Sequence, residues 1–514
     1  MKNKNTPIAV IDIGAHFARL EIVQITDDAG KYETLERLSQ IAPLGTDVFT
    51  KGKISTENTY LVGKILQDFS QVLKDYKVKH IRAVATSAVR EASNKELFLN
   101  RVRRLSGIKV EELETEEEAK ILFIAIKEAV NGFMSFNEKN SVICSIGTGA
   151  IQVSFTENGM LKSSESARIG SLRLIEELER NISANQLKDA IKPFVETAVK
   201  GILSQSLTHF STSLILGTGA SVRALTTLGF DSGETENPYV KCLSRKSFYK
   251  IYNEISKLPP EEIAQKYKIS DTLAESIEPA CAILYHFLEA SKSESLIIPT
   301  VTTRDAIIKD FIKTIQNESD DFMPHVTSCV KSLGEKYRYD SIHSEKVADI
   351  SLSIFDSTIF LHALNENDRK LLMIASYLHD IGAYVSNRKH HKHSFYLIKN
   401  SNIPGLTSKE RNIAAIIARY HRRALPKSTH SEYSALSSAD KVRVSSLASI
   451  LRIADSLDFI YHLTIKEIKF NHRSKIMEII TNQSVDSVLK NWAVKRKADL
   501  FEDVFGYKVR IIGR

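Results

Sequence analysis

Cysteine is sparse: Cys144, Cys242, Cys281 and Cys329 are the four in 514 residues, widely spaced and without a C-x-x-C pair. That pattern excludes a disulfide framework and reads as reduced thiols in a reducing compartment. No run approaches the roughly 18 apolar residues that a membrane span needs. The basic start, Met1 to Pro7, leads into an apolar run that Asp12 breaks, so no secretory core follows. A cytoplasmic protein is expected. No low-complexity linker interrupts the chain, which implies packed domains. Hydrophobic residues make up 43% and charged residues 26%, an ordinary globular balance, and the length suits three or four domains. The 70 Lys and Arg against 62 Asp and Glu give a net charge of +8, which favours anionic ligands. Part of the excess gathers at Arg388–Lys389–His390–His391–Lys392–His393, with Arg422, Arg423 and Lys427 downstream. No nucleic-acid recognition motif accompanies it.

Ile8 to Ile13, ending at Gly14, reads as a buried strand with a glycine turn, and Arg19 to Ile25 as its return strand. Val142 to Ile146, with Gly147 and Gly149, runs into Ile151–Phe155 on the same plan. The shared pattern suggests two related lobes. Leu214–Ile215–Leu216–Gly217–Thr218–Gly219 is a third such turn, opening a helix. Glycines at strand ends let backbone N–H groups approach a phosphate. Glu116, Glu117 and Glu118 open a long apolar helix. Acidic residues there suit the helix dipole, and a general base beside a phosphate is the functional alternative. Residues 160–210 and 240–310 read as helices between strands, with Leu296–Pro299 a strand and Thr303–Arg304–Asp305 a helix start.

From about Asp310 to His462 the pattern is almost entirely helical. Leu371, Ile374, Ala375 and Leu378 repeat at the helical period and lead into His379–Asp380. Thr407 and Glu410 form a capping box ahead of Ile413, Ile416, Ile417 and Tyr420, with His421 beside the stripe's end. His343 lies upstream, His391 and His393 between, and Asp455 downstream. These imidazoles and carboxylates suit borderline or hard divalent metals. The ordered set resembles the HD phosphohydrolase superfamily. Beyond it, Ile465–Phe470, Ile476–Ile480 and Tyr507–Ile512 read as strands and Val485–Phe501 as a helix.

Taken together, Asp12–Ile13–Gly14 with Arg19–Leu20, Ala85–Thr86 through Arg90–Glu91–Ala92, Glu117–Glu118–Ala119, Gly170 through Arg173–Leu174, Arg304–Asp305, His393–Ser394 and Arg419–Tyr420–His421 resemble the Ppx/GppA family of exopolyphosphatases and guanosine pentaphosphate phosphohydrolases. The resemblance covers nearly the whole chain. It implies an α/β actin-like (ribonuclease H-like) two-lobed core, residues 1–126 and 127–310. An all-α HD-type domain over 311–464 and a small α/β tail over 465–514 would follow. By this resemblance Glu118 is the general base, Arg90 a phosphate clamp, and Asp12 orients a metal or water. Gly14, Arg19, Gly147, Gly149, Gly217 and Gly219 would bind phosphate. Mg or Mn is implied in the cleft, and Mn, Fe or Zn at the HD-type site, held by His343, His379, Asp380, His393, His421 and Asp455. His393 is preferred over His391 because it matches the family's His-Ser pair. Asp380 is expected to bridge two metals. The partners implied are polyphosphate or a guanosine nucleotide, with no membrane, and a homodimer.

The loops depart from the family pattern. Where the family reads Asp-x-Gly-Ser-Asn-Ser, this chain has Ala15–His16–Phe17 after the glycine. Where it reads Asp-Ile-Gly-Gly-Gly-Ser-Thr-Glu, the chain has Ser145–Ile146–Gly147–Thr148–Gly149–Ala150–Ile151–Gln152. The third loop ends Ala220–Ser221. Two expectations follow: a phosphoanhydride hydrolase with a degenerate cleft, or a polyphosphate or alarmone sensor whose HD-type domain is a separate metal-dependent phosphohydrolase.

Overall fold

Strand β1 (Pro7–Ile13) is buried from Ile8 to Ile13 because it lies at the centre of a sheet, with neighbours on both edges. A continuous apolar run is what such a position requires. The computed structural model describes residues 6–27, 30–131, 136–179, 184–206, 212–228, 237–318, 322–422, 424–461, 465–481 and 497–513. The chain divides into two compact units, Met1–Met323 and Pro324–Arg514.

The first unit holds two sheets of one plan. In the first, β1 pairs antiparallel with β2 (Phe17–Ile25), which pairs with β3 (Tyr32–Ile41). On its other edge β1 pairs parallel with β4 (His80–Ala85), and β4 with β5 (Val110–Glu112). The second sheet repeats this. There β6 (Ser141–Ile146) pairs antiparallel with β7 (Ile151–Glu157), which pairs with β8 (Met160–Ala167). On the far edge β6 pairs parallel with β9 (Leu214–Thr218) and β9 with β11 (Ser295–Pro299), to which β10 (Val240–Ser244) adds antiparallel. The strand orders are 3-2-1-4-5 and 8-7-6-9-11-10. The helices Thr115–Val130 and Thr303–Gln316 follow β5 and β11 and pack against each other. The second begins at a capping box of Thr302 and Asp305. The expected boundaries at 126 and 310 fall inside these two helices.

Several strands lie where no strand was expected, β3, β8 and β10 among them. β3, Tyr-Glu-Thr-Leu-Glu-Arg-Leu-Ser-Gln-Ile, and β8, Met-Leu-Lys-Ser-Ser-Glu-Ser-Ala, close one edge of each sheet. Edge strands carry charged and polar side chains that face solvent, so they lack the apolar alternation that marks a half-buried strand. Residues 160–167 and, at the opposite edge of the same sheet, residues 240–244 are therefore strand rather than helix.

The second unit is mainly helical from Pro324 to Tyr461, with the helices Met323–Lys336 (from its second residue), Ser341–Ser357, Glu366–Leu378, His390–Lys399, Ser408–Arg419, Ser431–Ser434 and Ser438–Tyr461. The expected capping box of Thr407 and Glu410 opens the Ser408 helix. β12 (Ile465–Asn471), β13 (Ile476–Thr481) and β14 (Lys508–Gly513) form a small sheet beside the helix Asp499–Phe505. The expected helix from Val485 lies largely outside the described residues. The fully buried Arg452 ties the tail to the helices. Its guanidinium donates to the Lys497 carbonyl (3.1 Å), the Tyr420 carbonyl (3.3 Å), the Arg422 carbonyl and Asp499 (2.9 Å). No helix among the described residues is long and apolar enough to cross a membrane.

Candidate functional site

The ends of β1 and β6 and the turns after β4 and β9 surround a cleft of about 290 Å³ in the first unit. Its lining includes Asp12, Gly14, Arg19, Arg90, Glu118, Gly147, Gly219, Arg223 and Arg304. Gly14 N–H donates to the Phe17 carbonyl (2.9 Å) and Gly147 N–H to the Ala150 carbonyl (3.0 Å), so the two turns share one geometry. Gly219 has φ +127° and no room for a side chain, since a Cβ would stand 2.2 Å from the Ile146 carbonyl oxygen. Only glycine can bring the third turn so close to β6. Gly149 and Gly217 are not part of the cavity wall, although Thr148, Ala150 and Thr218 beside them are.

Glu118 sits in the first turn of its helix, with Arg90 Nη1 3.3 Å from its carboxylate. The same Nη1 donates to the Leu113 carbonyl (2.6 Å). Burial pushes the Glu118 carboxyl above its ordinary range. Arg90 opposes this, and the Asp12 charge adds to it. Burial raises Asp12 as well, against the pull of Arg19 (3.5 Å) and Arg304. Glu117 is turned to structural use, paired with Arg82, which also holds Asp310. Arg173 forms a two-pronged pair with Glu91 (3.1 and 2.7 Å) and so joins the second lobe to the short helix that carries Arg90.

For a divalent ion, the cleft offers the carboxylates of Asp12 and Glu118, each already facing an arginine. The second lobe adds no carboxylate to the lining. Gln152 donates its amide to the Thr115 carbonyl (3.0 Å). This donor set fits a divalent ion poorly.

The helical unit is different. His379 caps the Glu366–Leu378 helix and is fully buried. Its Nδ1 faces the Ser376 carbonyl at 2.7 Å, and His421 Nδ1 faces the Ala418 carbonyl at 2.6 Å. His390 Nδ1 lies 3.2 Å from the Asn387 carbonyl, and His343 Nδ1 lies 2.6 Å from Asp458. A carbonyl or carboxylate can only accept, so each Nδ1 carries the proton and each Nε2 presents a lone pair. That is how outer partners orient metal-binding imidazoles. The four Nε2 atoms then meet in pairs, His343 with His379 at 3.2 Å and His390 with His421 at 3.3 Å. Neutral lone pairs repel at such distances, and a cation between them removes the repulsion. Asp380 lies between the pairs. Its Oδ1 is 2.9 Å from His390 and 3.3 Å from His421, and its Oδ2 is 3.7 Å from His379. That Oδ1 is buried and has no satisfied hydrogen bond. Asp455 Oδ1 stands 3.7 Å from His343 and 3.8 Å from His379, while Lys497 pairs with its other oxygen. These groups fit one or two divalent ions.

His390, not His393, is the imidazole that meets Asp380 and His421. Gly382 explains it. A Cβ there would lie 2.2 Å from the His390 carbonyl oxygen and 2.3 Å from the Ser394 nitrogen, so glycine lets the turn after Asp380 press against the start of the His390–Lys399 helix. The Gly382 N–H donates to Ser394 Oγ (2.9 Å). His393 is three residues further along, a rise of about 4.5 Å. The Ser394 of the expected His-Ser pair thus holds the turn in place. Sequence reasoning also missed Lys497 and the partnership of Asp458 with His343. Lys497 carried no local signal, whereas Asp458 could have been found three residues after Asp455, nearly one turn along the same helix.

The sequence matches the Ppx/GppA phosphatase family over residues 22–314 and domain III of the Ppx/GppA phosphatases over residues 327–493. The chain belongs to the Ppx/GppA phosphatase family. It is 23% identical over 459 residues to a guanosine-5'-triphosphate,3'-diphosphate pyrophosphatase of Photobacterium profundum, covering 88% of this chain and 87% of that one. The protein of the same name from Vibrio vulnificus is 23% identical over 430 residues, 82% of each chain. Among solved structures, an exopolyphosphatase from Cytophaga hutchinsonii superposes with a TM-score of 0.53 at 20% identity, covering 60% of this chain and 98% of that chain. That likeness shows the α/β actin-like fold.

Proposed function

We propose that the cleft of the first unit takes the terminal phosphates of polyphosphate or guanosine pentaphosphate and hydrolyses a phosphoanhydride bond. The observation that carries this reading is Glu118: a carboxylate with a raised pKa, 3.3 Å from Arg90, on the wall of an arginine-lined cavity. In this reading Glu118 accepts a proton from water as the water oxygen bonds to the terminal phosphorus. The bridging P–O bond breaks, and the shortened chain leaves with the electron pair. Arg90, Arg19 and the N–H groups of the Gly14, Gly147 and Gly219 turns meet the phosphoryl charge. Such transfer depends mainly on position and charge stabilisation. Phosphate release from polyphosphate and from guanosine pentaphosphate, by wild type and Glu118→Gln, tests it. Equal release by both removes the chemistry from the cleft.

A second reading is favoured by the four convergent imidazoles. Here the helical unit is an HD-type metal-dependent phosphohydrolase, and the cleft binds phosphate without turnover. His343, His379, Asp380, His390, His421 and Asp455 would hold the ion, with Mn, Fe and Zn the candidates. Bound there, a divalent ion supplies an activated water and charge neutralisation. A 380 Å³ cavity lined by Tyr337, Tyr339, His343, Asp380 and Tyr384 gives a phosphoester access. Asp380→Ala separates the readings, because it should abolish turnover only in the second.

A further inference from the structure

Each lobe of the first unit carries the same small device. After the parallel strand beside its central strand comes a sharp turn, then a five-residue helix: Ser87–Glu91 after β4 and Ala220–Ala224 after β9. The fourth residue of each is an arginine, Arg90 in one and Arg223 in the other, and both line the cleft. Their partners differ. Arg90 faces Glu118, the fourth residue of the helix after β5. At the fourth residue of the helix after β11 stands the buried Ala306. Three of the four lining arginines have a carboxylate at ion-pair distance: Arg19 with Asp12 (3.5 Å), Arg90 with Glu118 (3.3 Å) and Arg304 with Glu21 (2.9 Å). Among the described residues Arg223 has none.

We propose that Arg223 is the second lobe's phosphate ligand, and that the cleft holds a phosphate chain through guanidinium groups without a divalent ion of its own. The proposal rests on the reading of this cleft as a phosphate-chain site. Its basis is the charge of the lining. Two carboxylates face four guanidiniums, and both carboxylates are already engaged. The groups of β6 and β7 that flank them, Ser145 and Gln152, are neutral. Mg typically takes one or two carboxylates together with substrate phosphates. Among the described residues, the groups of three His, Cys, Asp or Glu ligand atoms within 4.8 Å of one another lie in the helical unit and not in the cleft. An arginine suits the opposite task, since its planar fork pairs with two phosphate oxygens at once. Burial lowers the proton affinity of Arg223. Asp305 opposes this, while Arg19 and Arg304 add to it. An anion seated among the three would relieve that repulsion.

Binding of inorganic tripolyphosphate to the full chain, measured by calorimetry in excess Mg and in excess EDTA, tests this. Wild type and Asp380→Ala are expected to bind in both media with Kd values within about threefold. Arg223→Gln should weaken binding in EDTA by about tenfold or more, the effect of losing one charged hydrogen-bonding partner. Arg223→Lys, which keeps the charge but not the fork, should fall between. Melting temperatures of both variants equal to wild type exclude misfolding, and if Arg223→Gln melts early the lysine variant alone decides. Binding by wild type only in Mg overturns the inference and leaves the proposed function standing. So does unchanged binding by folded Arg223 variants. No binding by wild type in either medium removes the proposed function and the inference with it.

Discussion

Asp12 and Ser145 hold the same place in the two sheets of the first unit. Each is the penultimate residue of its central strand, followed by Ile and then the Gly of the turn. Each stands opposite the equivalent position of the next strand, Asp12 against Arg19 and Ser145 against Gln152. One lobe therefore presents an ion pair where the other presents two neutral groups. The cleft inherits that asymmetry, and its chemistry is concentrated on the side of Asp12, Arg90 and Glu118.

Glu118→Gln should lower phosphate release by about 100-fold or more, the usual worth of a general base, while binding persists. Single-turnover rates and tripolyphosphate affinity, measured together, decide this. Loss of binding in parallel with rate would make Glu118 a structural partner of Arg90.

The pH profile has a definite sign. A general base acts when deprotonated, so kcat/KM should climb with pH through the Glu118 pKa. Burial places that acid limb above the ordinary carboxylate value of about 4.3. The Asp12 charge contributes to the rise, so Asp12→Asn should move the limb to lower pH. A limb that stays put shows that the titrating group is not Glu118.

Ser145→Asp gives the second lobe the carboxylate that Asp12 gives the first. A gain of Mg-dependent phosphate release is expected. If the variant melts like wild type and gains nothing, the neutral residue at this position does not limit turnover.

In the helical unit, Asp380→Ala should lose most bound Mn, Fe or Zn with the fold intact, because the surrounding helices bury their own apolar faces. Gly382→Ala should weaken the metal as well by pushing His390 away, and should also lower the melting temperature. Metal content after incubation and desalting is the measurement. Equal content in wild type and Asp380→Ala would mean that the four imidazoles do not hold an ion.

Arg452→Ala should destabilise the second unit by roughly 2–4 kcal/mol, since it empties a fully buried site and removes the donor to the buried Tyr420 carbonyl and to Asp499. Chemical denaturation followed by far-ultraviolet circular dichroism measures it. A change below about 0.5 kcal/mol would show that the tail does not depend on this residue.

The sequence alone determined the features that rest on local pattern. The mainly apolar runs of β1 and β6 and their Ile-Gly turns announced two related lobes, because a central strand is buried on both faces and must be apolar along most of its length. The capping box at Thr407 and the heptad-like spacing of Leu371, Ile374 and Leu378 announced the helical half. Residues such as His379, Asp380 and His421 stood out through their chemistry. Tertiary structure decided what depends on contact across elements. Edge strands β3 and β8 are held by pairing on one side and carry a surface composition, so no periodicity marks them. His390 replaces His393 because Gly382 sets how closely a turn meets a helix. Arg223 becomes the counterpart of Arg90 only when β9 is laid beside β6 as β4 is beside β1. Lys497 reaches Asp455 from 42 residues away in the chain. Convergence of this kind is fixed by how buried surfaces pack, and one-dimensional spacing does not encode it.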